Sequence, residues 1–449
     1  MNRSALAVVV LAAGQGTRMK SALPKVLHPI GGRPMLGHVL AVTKAMQAER
    51  IVVVTAPGAT QVEKLVEQWG AAAVVQERQL GTGHAVLAAE SLLSDFDGNL
   101  MVLFGDAPLL TAATLQELTA RLAEGADITA LGFRAADPTG YGRMVGQGDS
   151  LLRIVEQKDA TEDERRIDRC FAGMLAGRAK LLLELLHQVG NHNAQGEFYL
   201  TDVITIARSR GLNCVIVEGP ESEMLGVNSR SQLAQAEASF QARARAALMD
   251  AGITMLAPET IYLSADTIIE PDVTIGQFVV FGPGVTVKRG AEIRAFCHIE
   301  NSEIGERAII GPFARLRGGA KLDSDTDIGN FVELKNAHLE KGVKAHHLTY
   351  LGDAHVGEKA NIGAGTITCN YDGFAKHRTE IGAGAFIGSN AALVAPVQIG
   401  QGAIVAAGSV ITRSVEANAL AVGRGRQEVK PGGAEVIRAK NKARKDRKI

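Results

Sequence analysis

Aromatic side chains are scarce, with 13 Phe, 5 Tyr and 1 Trp in 449 residues. Cores built from this chain must therefore be filled mainly by aliphatic and small side chains. The four cysteines, Cys170, Cys214, Cys297 and Cys369, are scattered, with no CxxC pair and no zinc spacing. That excludes a disulfide framework or a cysteine metal site and fits reduced thiols in a cytoplasmic protein. Net charge is absent as well, 48 Lys and Arg against 48 Asp and Glu. A whole-chain nucleic-acid binder is not expected from such a balance. With 46% hydrophobic and 21% charged residues, intrinsic disorder is not expected either. No run approaches the roughly 20 apolar residues of a membrane span. The apolar stretch Ala5–Ala13 lacks a basic region before it and runs directly into Gly14, so a signal peptide is not expected.

Glycine, by contrast, is abundant, and half of the 50 glycines lie beyond residue 274. At about 100–200 residues per domain, this length implies two or three units. The first half alternates apolar runs of strand length (6–11, 51–55, 72–76, 100–104, 128–133) with amphipathic stretches (35–48, 59–69, 84–93, 111–123). That alternation predicts a parallel sheet covered by helices on both faces, with ligands at the carboxyl ends of the strands. Residues 229–250 read as one helix, capped by Ser229 or Asn228, with Leu233, Ala236, Phe240, Ala244 and Leu248 on one stripe and Gly252 just beyond.

Past residue 260 the pattern changes to a period of six. Aliphatic or aromatic residues stand at 275, 281, 287, 293 and 299, then at 304, 310, 316, 322, 328 and 334, and again at 381, 387, 393, 399, 405 and 411. Glycine often follows them, as at 276, 282, 305, 311, 382 and 388. A strict period of six fits neither a 3.6-residue helix face nor one strand. It predicts a hexapeptide parallel β-helix, three repeats to a triangular coil, each aliphatic residue pointing inward. The rhythm breaks between Leu334 and Val356, and again at a loop, 369–378, where function is expected. The end of the chain, 430–449, carries eight basic residues against Glu435 and Asp446 and reads as a mobile, solvated tail.

Directly after the first strand comes Leu11-Ala12-Ala13-Gly14-Gln15-Gly16-Thr17-Arg18-Met19, then Pro24-Lys25. Glycines there let backbone N–H groups approach phosphates while Arg18 and Lys25 neutralise charge. It is neither the dinucleotide fingerprint nor the P-loop. A plain glycine turn with two surface cations is the alternative. Asp106, after the strand 100–104, stands where a metal would bridge phosphates. Read alone, it is equally a helix cap before Thr111. Around His347, the adjacent His346 would point to the opposite face of a strand, so the pair does not chelate. A zinc cluster with His338 and His355 lacks any familiar spacing. An imidazole, with an ordinary pKa of about 6.5, suits a general base.

The GQGTRM loop with its downstream PK resembles the sugar-nucleotidyltransferases. Further segments, DPTGYGR (137–143), IVEQKD (154–159), NAQGEFY (193–199), GVN (226–228), HLTY (347–350), NIGAGT (361–366) and TCNYDG (368–373), extend the resemblance over nearly the whole chain. They are similar to the bifunctional bacterial N-acetylglucosamine-1-phosphate uridyltransferase / glucosamine-1-phosphate acetyltransferase family. The resemblance implies an α/β Rossmann-like nucleotidyltransferase domain (1–228), a linker helix (229–250) and a left-handed β-helix acetyltransferase domain (251–449). It implies a uridine site at Leu11, Ala12, Ala13, Gly14, Lys25, Gln76, Gly81 and Thr82, sugar contacts at Gly142, Glu156 and Asn228, and Mg²⁺ ligands Asp106 and Asn228. Arg18 and Lys25 would stabilise the triphosphate. One departure stands out: Phe171, in Cys170-Phe171-Ala172-Gly173, replaces a sugar-contacting Asn usual in the family.

For the second activity, the resemblance makes His347 the base. It implies acceptor contacts at Arg317, Lys335, Tyr350 and Asn361, with Lys376 in the loop, and acetyl-CoA contacts at Ala364, Asn370, Tyr371, Ser389, Ala407 and Arg424. By spacing, Arg317 and Lys335 stand within three coils of each other. The product, UDP-N-acetylglucosamine, would feed peptidoglycan and lipopolysaccharide precursors. Expected partners are small-molecule substrates, with neither nucleic acid nor membrane, and a homotrimer formed through the β-helix. Two rival readings remain open here: a β-helix serving only as scaffold and oligomerisation module, and a non-catalytic regulatory relative.

Overall fold

The computed structural model describes residues 4–447. They form two compact units, one running to Ala247 and including Tyr262–Ala265, the other comprising Leu248–Ile261 and everything from Asp266. The segment at 262–265 joins the first unit through Gln241. This buried glutamine of the long helix donates to Leu263 O (2.7 Å) and accepts from Leu263 N (2.9 Å). Ala265 N adds a bond to Gly31 O.

The first unit is built on a nine-stranded sheet. Its parallel half runs in the order Ala72–Val75, Arg50–Thr55, Leu6–Leu11, Asn99–Phe104. These strands are the short aliphatic runs of the sequence; Ala7 to Val10 are almost wholly inaccessible because helices cover both faces. The other half departs from the all-parallel expectation. Arg169–Arg178 runs antiparallel between Asn99–Phe104 and Ile128–Arg134. A hairpin, Gly142–Gln147 and Ser150–Val155, closes the edge. Its two-residue turn, Gly148-Asp149 with Gly148 at φ 57°, is the chemistry that a tight hairpin requires. The helix expected over 84–93 is also divided, into Thr82–Leu87 and a single 3-10 turn, Glu90–Leu92.

The helix Arg230–Asp250 begins where Ser229 Oγ accepts from Gln232 N (3.3 Å). Ala236 is buried, and Leu233 and Phe240 pack with Ile30, Met35, Leu109 and Val227. Phe240 lies so close to Gly31 that any side chain there would overlap its ring.

The second unit is a left-handed parallel β-helix whose three faces are sheets of ten, eight and eight short strands. Strands from successive coils pair in register, Ile275 with Ile293, Phe281 with Ile299, Val287 with Ile304. The inward ladder is buried throughout, as at Ile293, Ile310, Ile328 and Ile387. Each such side chain contributes about 1.5–3 kcal/mol. The shift between Leu334 and Val356 does not interrupt the solenoid. Leu339, Ala345 and Leu351 fill the inward positions; Ala345 is simply a small rung, and two short sides shift the phase. The loop after Thr368 does extrude, yet Ile381 resumes pairing beside Val356.

One corner of the prism carries an exposed stack of Phe278, Phe296, Phe313 and Phe331. Successive ring centroids are 5.1, 4.8 and 5.1 Å apart and nearly parallel. The basic end of the chain, expected to be a mobile solvated tail, is solvated but has a regular element. Gly433–Asp446 is an exposed helix, its alanines and long-chain cations being good helix formers, while Lys448 and Ile449 lie outside the described residues.

Candidate active sites

In the first unit the carboxyl ends of the strands open into a cavity of about 530 Å³. Leu11, Ala12, Ala13, Gly14, Lys25, Gln76, Gly81, Thr82, Asp106, Gly142, Glu156 and Asn228 all line it. Lys25 and Asn228, 203 positions apart in the chain, meet here because the strand ends bring distant segments to one edge of the sheet. Arg18 does not line the cavity. It is exposed on the 3-10 turn Thr17–Met19, between Gly16 and Lys20, both in the left-handed region. Lys25 takes the inner position instead.

The Lys25 ammonium donates to Asp106 Oδ2 (2.5 Å) and Asn228 Oδ1 (2.9 Å). Val227 N, bound to Asp106 O (3.0 Å), holds residue 228 beside the carboxylate. Two hard oxygens thus already face one cation. Among the described residues there is no cluster of three or more carboxylate, His or Cys ligands. One carboxylate and one amide oxygen fit Mg²⁺, which is usually bound by one or two carboxylates plus water and phosphate oxygens.

Deeper in the cavity, burial pushes the Glu156 carboxyl above its usual range, opposed by the Thr201 hydroxyl that donates to it (3.3 Å). Phe171, 7% exposed, lines the cavity with Ala172 and Gly173, so this wall is apolar. Sequence reasoning missed the support behind it. Arg143, 1% exposed, donates to Tyr141 O and to Gln157 Oε1 (2.6 Å), and Gln157 accepts from Gly140 N (3.2 Å). This clamp fixes the turn that leads into Gly142. Gln79 was missed also; its amide donates to Ala13 O (2.5 Å) and ties two walls together.

In the β-helix, His347 ends the strand Lys344–His347 at the same corner as the phenylalanine stack. His347 Nδ1 donates to Asn330 Oδ1 (2.8 Å), one coil below. An amide carbonyl only accepts, so Nδ1 carries the hydrogen, and in the neutral ring Nε2 keeps its lone pair. Asn330 was not singled out from sequence; its signal is the register, 17 residues before His347. His346 points elsewhere, its Nε2 3.0 Å from Asp327 Oδ2. No zinc cluster is formed among the described residues.

Arg317 and Lys335 lie in adjacent coils, paired in register at the end of the following face. Arg317 Nε is held by Glu333 (2.7 Å). The Lys376 ammonium beside it, then burial and Arg317, pull Lys335 below the usual lysine range. Such mutually repelling cations are relieved by an anion. Tyr350 lies on the same face. The extruded loop is ordered: Asp372 accepts from Phe374 N, Ala375 N and His377, and Asn370 donates to Asp353 (2.5 Å).

The remaining assignments divide in space. Ala364, Ser389, Ala407 and Arg424 fall on the His347 corner in four successive coils, joined by Gly365 N to His347 O, Asn390 N to Ala364 O, Gly408 N to Ser389 O and Arg424 Nη1 to Ala407 O. Asn370 and Tyr371 stand with the cations at the far edge of the next face instead. Asn361 lies on the face before the corner, paired with Lys344, and does not join Tyr350 within one chain.

Residues 8–185 match the MobA-like NTP transferase domain, and residues 378–413 match the bacterial transferase hexapeptide family of six repeats. The chain is 55% identical over 441 residues to the bifunctional protein GlmU of Azorhizobium caulinodans, covering 98% of each. It is 52% identical over 450 residues to the bifunctional protein GlmU of Paramagnetospirillum magneticum, covering 100% of each. A strand-end nucleotide cleft and a histidine-bearing β-helix in one chain agree with those matches along their full length: the chain belongs to the GlmU family of bifunctional proteins.

Proposed function

We propose that the cavity at Asp106 and the corner at His347 perform the two reactions of this bifunctional enzyme. It transfers acetyl from acetyl-CoA to glucosamine-1-phosphate and then uridylyl from UTP to N-acetylglucosamine-1-phosphate, giving UDP-N-acetylglucosamine. The observation that carries the residue roles is the bond from His347 Nδ1 to Asn330, which leaves Nε2 as the basic nitrogen of the neutral ring, together with the Arg317, Lys335 and Lys376 cations at the far edge of the next face.

In the β-helix, the three cations bind the sugar phosphate and relieve their own repulsion. His347 Nε2 takes a proton from the substrate amine as its nitrogen bonds to the thioester carbonyl carbon; the C–S bond breaks and CoA leaves as the thiolate. In the cavity, an oxygen of the sugar phosphate attacks the α-phosphorus of UTP, and the bond to the β-phosphate oxygen breaks to release pyrophosphate. No protein nucleophile is required, so positioning and charge neutralisation supply the catalysis. Lys25 contacts phosphate oxygens, Gly14 brings backbone N–H groups close to them, and Gly142 and Glu156 orient the sugar. Mg²⁺ held by Asp106 and Asn228 would supply neutralisation of the triphosphate.

The test combines glucosamine-1-phosphate, acetyl-CoA, UTP and Mg²⁺, with thiol and pyrophosphate release followed separately. Thiol is expected without UTP, and pyrophosphate from N-acetylglucosamine-1-phosphate without acetyl-CoA. Pyrophosphate release with no thiol release would leave the β-helix a scaffold.

The working unit is a homotrimer, and its place the cytoplasm. The separation of Asn361 from Tyr350 supports an acetyl site completed by a neighbouring chain, and the exposed phenylalanine stack supplies an apolar stripe contiguous with that site. Four unpaired cysteines support a reducing compartment. Phe313→Glu, in the middle of the stack, should shift the mass measured by light scattering from three chains towards one. Acetyl transfer should fall with it and uridylyl transfer should stay within about twofold; an unchanged mass would place the contact elsewhere.

A further inference from the structure

Gln76 reaches the cavity wall at 4% exposure, and its amide is bound on one side only. Nε2 donates to Gly81 O (3.2 Å) and stands 3.1 Å from His84 Nδ1. A carbonyl oxygen cannot donate, so the amide nitrogen must face Gly81. Its second hydrogen then goes to His84 Nδ1, which accepts it in the neutral tautomer with hydrogen on Nε2. Both amide hydrogens are used, and the carbonyl Oε1 is what Gln76 can offer to a ligand.

His84 does not line the cavity. It lies behind Gln76 on the helix Thr82–Leu87, its ring against Phe198 with centroids 6.4 Å apart. That frame is rigid: Gly83 N donates to Phe198 O and Phe198 N to Leu80 O, both at 2.8 Å. Gly81, at φ 115°, has no room for a side chain because Phe198 O would lie 2.6 Å from its Cβ.

We infer that His84 is a positioning residue that fixes the orientation of the Gln76 amide and thereby sets which pyrimidine base the cavity accepts. The inference rests on the uridine reading of this cavity. Uracil presents an N3–H donor between two carbonyls; cytosine presents a bare N3 acceptor beside an amino group. Oε1 accepts the uracil N3–H and repels the cytosine N3 lone pair. If the amide turned over, the preference would reverse, and the turn is opposed by placing Oε1 against both Gly81 O and His84 Nδ1. An oriented hydrogen-bonding group rejects the analogue that lacks the matching hydrogen far more strongly than shape alone does.

The test compares kcat/KM for UTP, 5-methyl-UTP and CTP in the full-length enzyme and two variants. His84→Leu removes the acceptor; His84→Asn returns an oxygen to the position of Nδ1. His84→Leu should lower the UTP-to-CTP ratio about tenfold, mainly through KM for UTP, with 5-methyl-UTP falling alongside UTP. His84→Asn should keep the ratio within about threefold of the parent, and acetyl transfer should stay unchanged in both. A ratio unaffected in His84→Leu, or lost equally in both variants, would overturn the inference. A parent enzyme that does not consume UTP would instead overturn the uridylyl reading itself.

Discussion

Asp106→Ala should reduce pyrophosphate release by about a thousandfold or more while acetyl transfer stays within about twofold. Among the described residues this is the only carboxylate bonded to the Lys25 ammonium, and with Asn228 Oδ1 it forms an oxygen pair in the cavity. Without it Lys25 keeps one amide partner, and a triphosphate would bring negative charge to a wall that has lost the carboxylate proposed to hold Mg²⁺. The β-helix reaction uses none of these groups. Asp106→Asn tests charge apart from shape, since it keeps a hydrogen-bonding side chain for Lys25. Thiol and pyrophosphate release measured on one folded sample decide the matter. Loss of both activities, or a drop in pyrophosphate release under tenfold, would refute the separation of the two sites.

His347→Ala should give the mirror image, a loss of about a hundredfold to ten-thousandfold in thiol release with pyrophosphate release from N-acetylglucosamine-1-phosphate preserved. The side chain is exposed and fills no core, so its removal is expected to leave the fold intact. Its partner provides a graded control. Asn330→Ala leaves the base in place but frees its ring, so a partial loss of about tenfold is expected. Acetyl transfer that survives His347→Ala would remove this residue from the role of base.

The β-helix was legible in the sequence because its side chains repeat at a period no other element has; even its apparent break at Leu334–Val356 was an alanine rung and not an interruption. The parallel half of the first sheet was legible for the complementary reason, strands apolar on both faces. The antiparallel strand Arg169–Arg178 was hidden, because glycine and alanine at 172–173 disrupt its apolar run at the register irregularity between Phe171 and Leu175. The residues proposed for the cavity at strand ends were legible from their positions after apolar runs. Those that act through a neighbour were not. Asn330 reaches His347 only through coil register, His84 and Arg143 serve from behind the cavity wall, and Arg18, marked by its motif, is exposed on a turn whose conformation the motif does not reveal.

The corner that carries His347 is also a ruler. Adjacent coils in a parallel sheet are spaced at about 4.8 Å, so the four steps from His347 to Arg424 measure about 19 Å. Along that edge the side chains are small, Ala364, Ser389 and Ala407, until Arg424 closes it. In the other direction the edge is walled by stacked phenylalanine rings. A long thin donor such as the arm of a thioester therefore has one direction of entry and a length counted in whole coils. Adding or deleting a coil between His347 and Arg424 would change the reach of the site by a fixed increment without altering its chemistry.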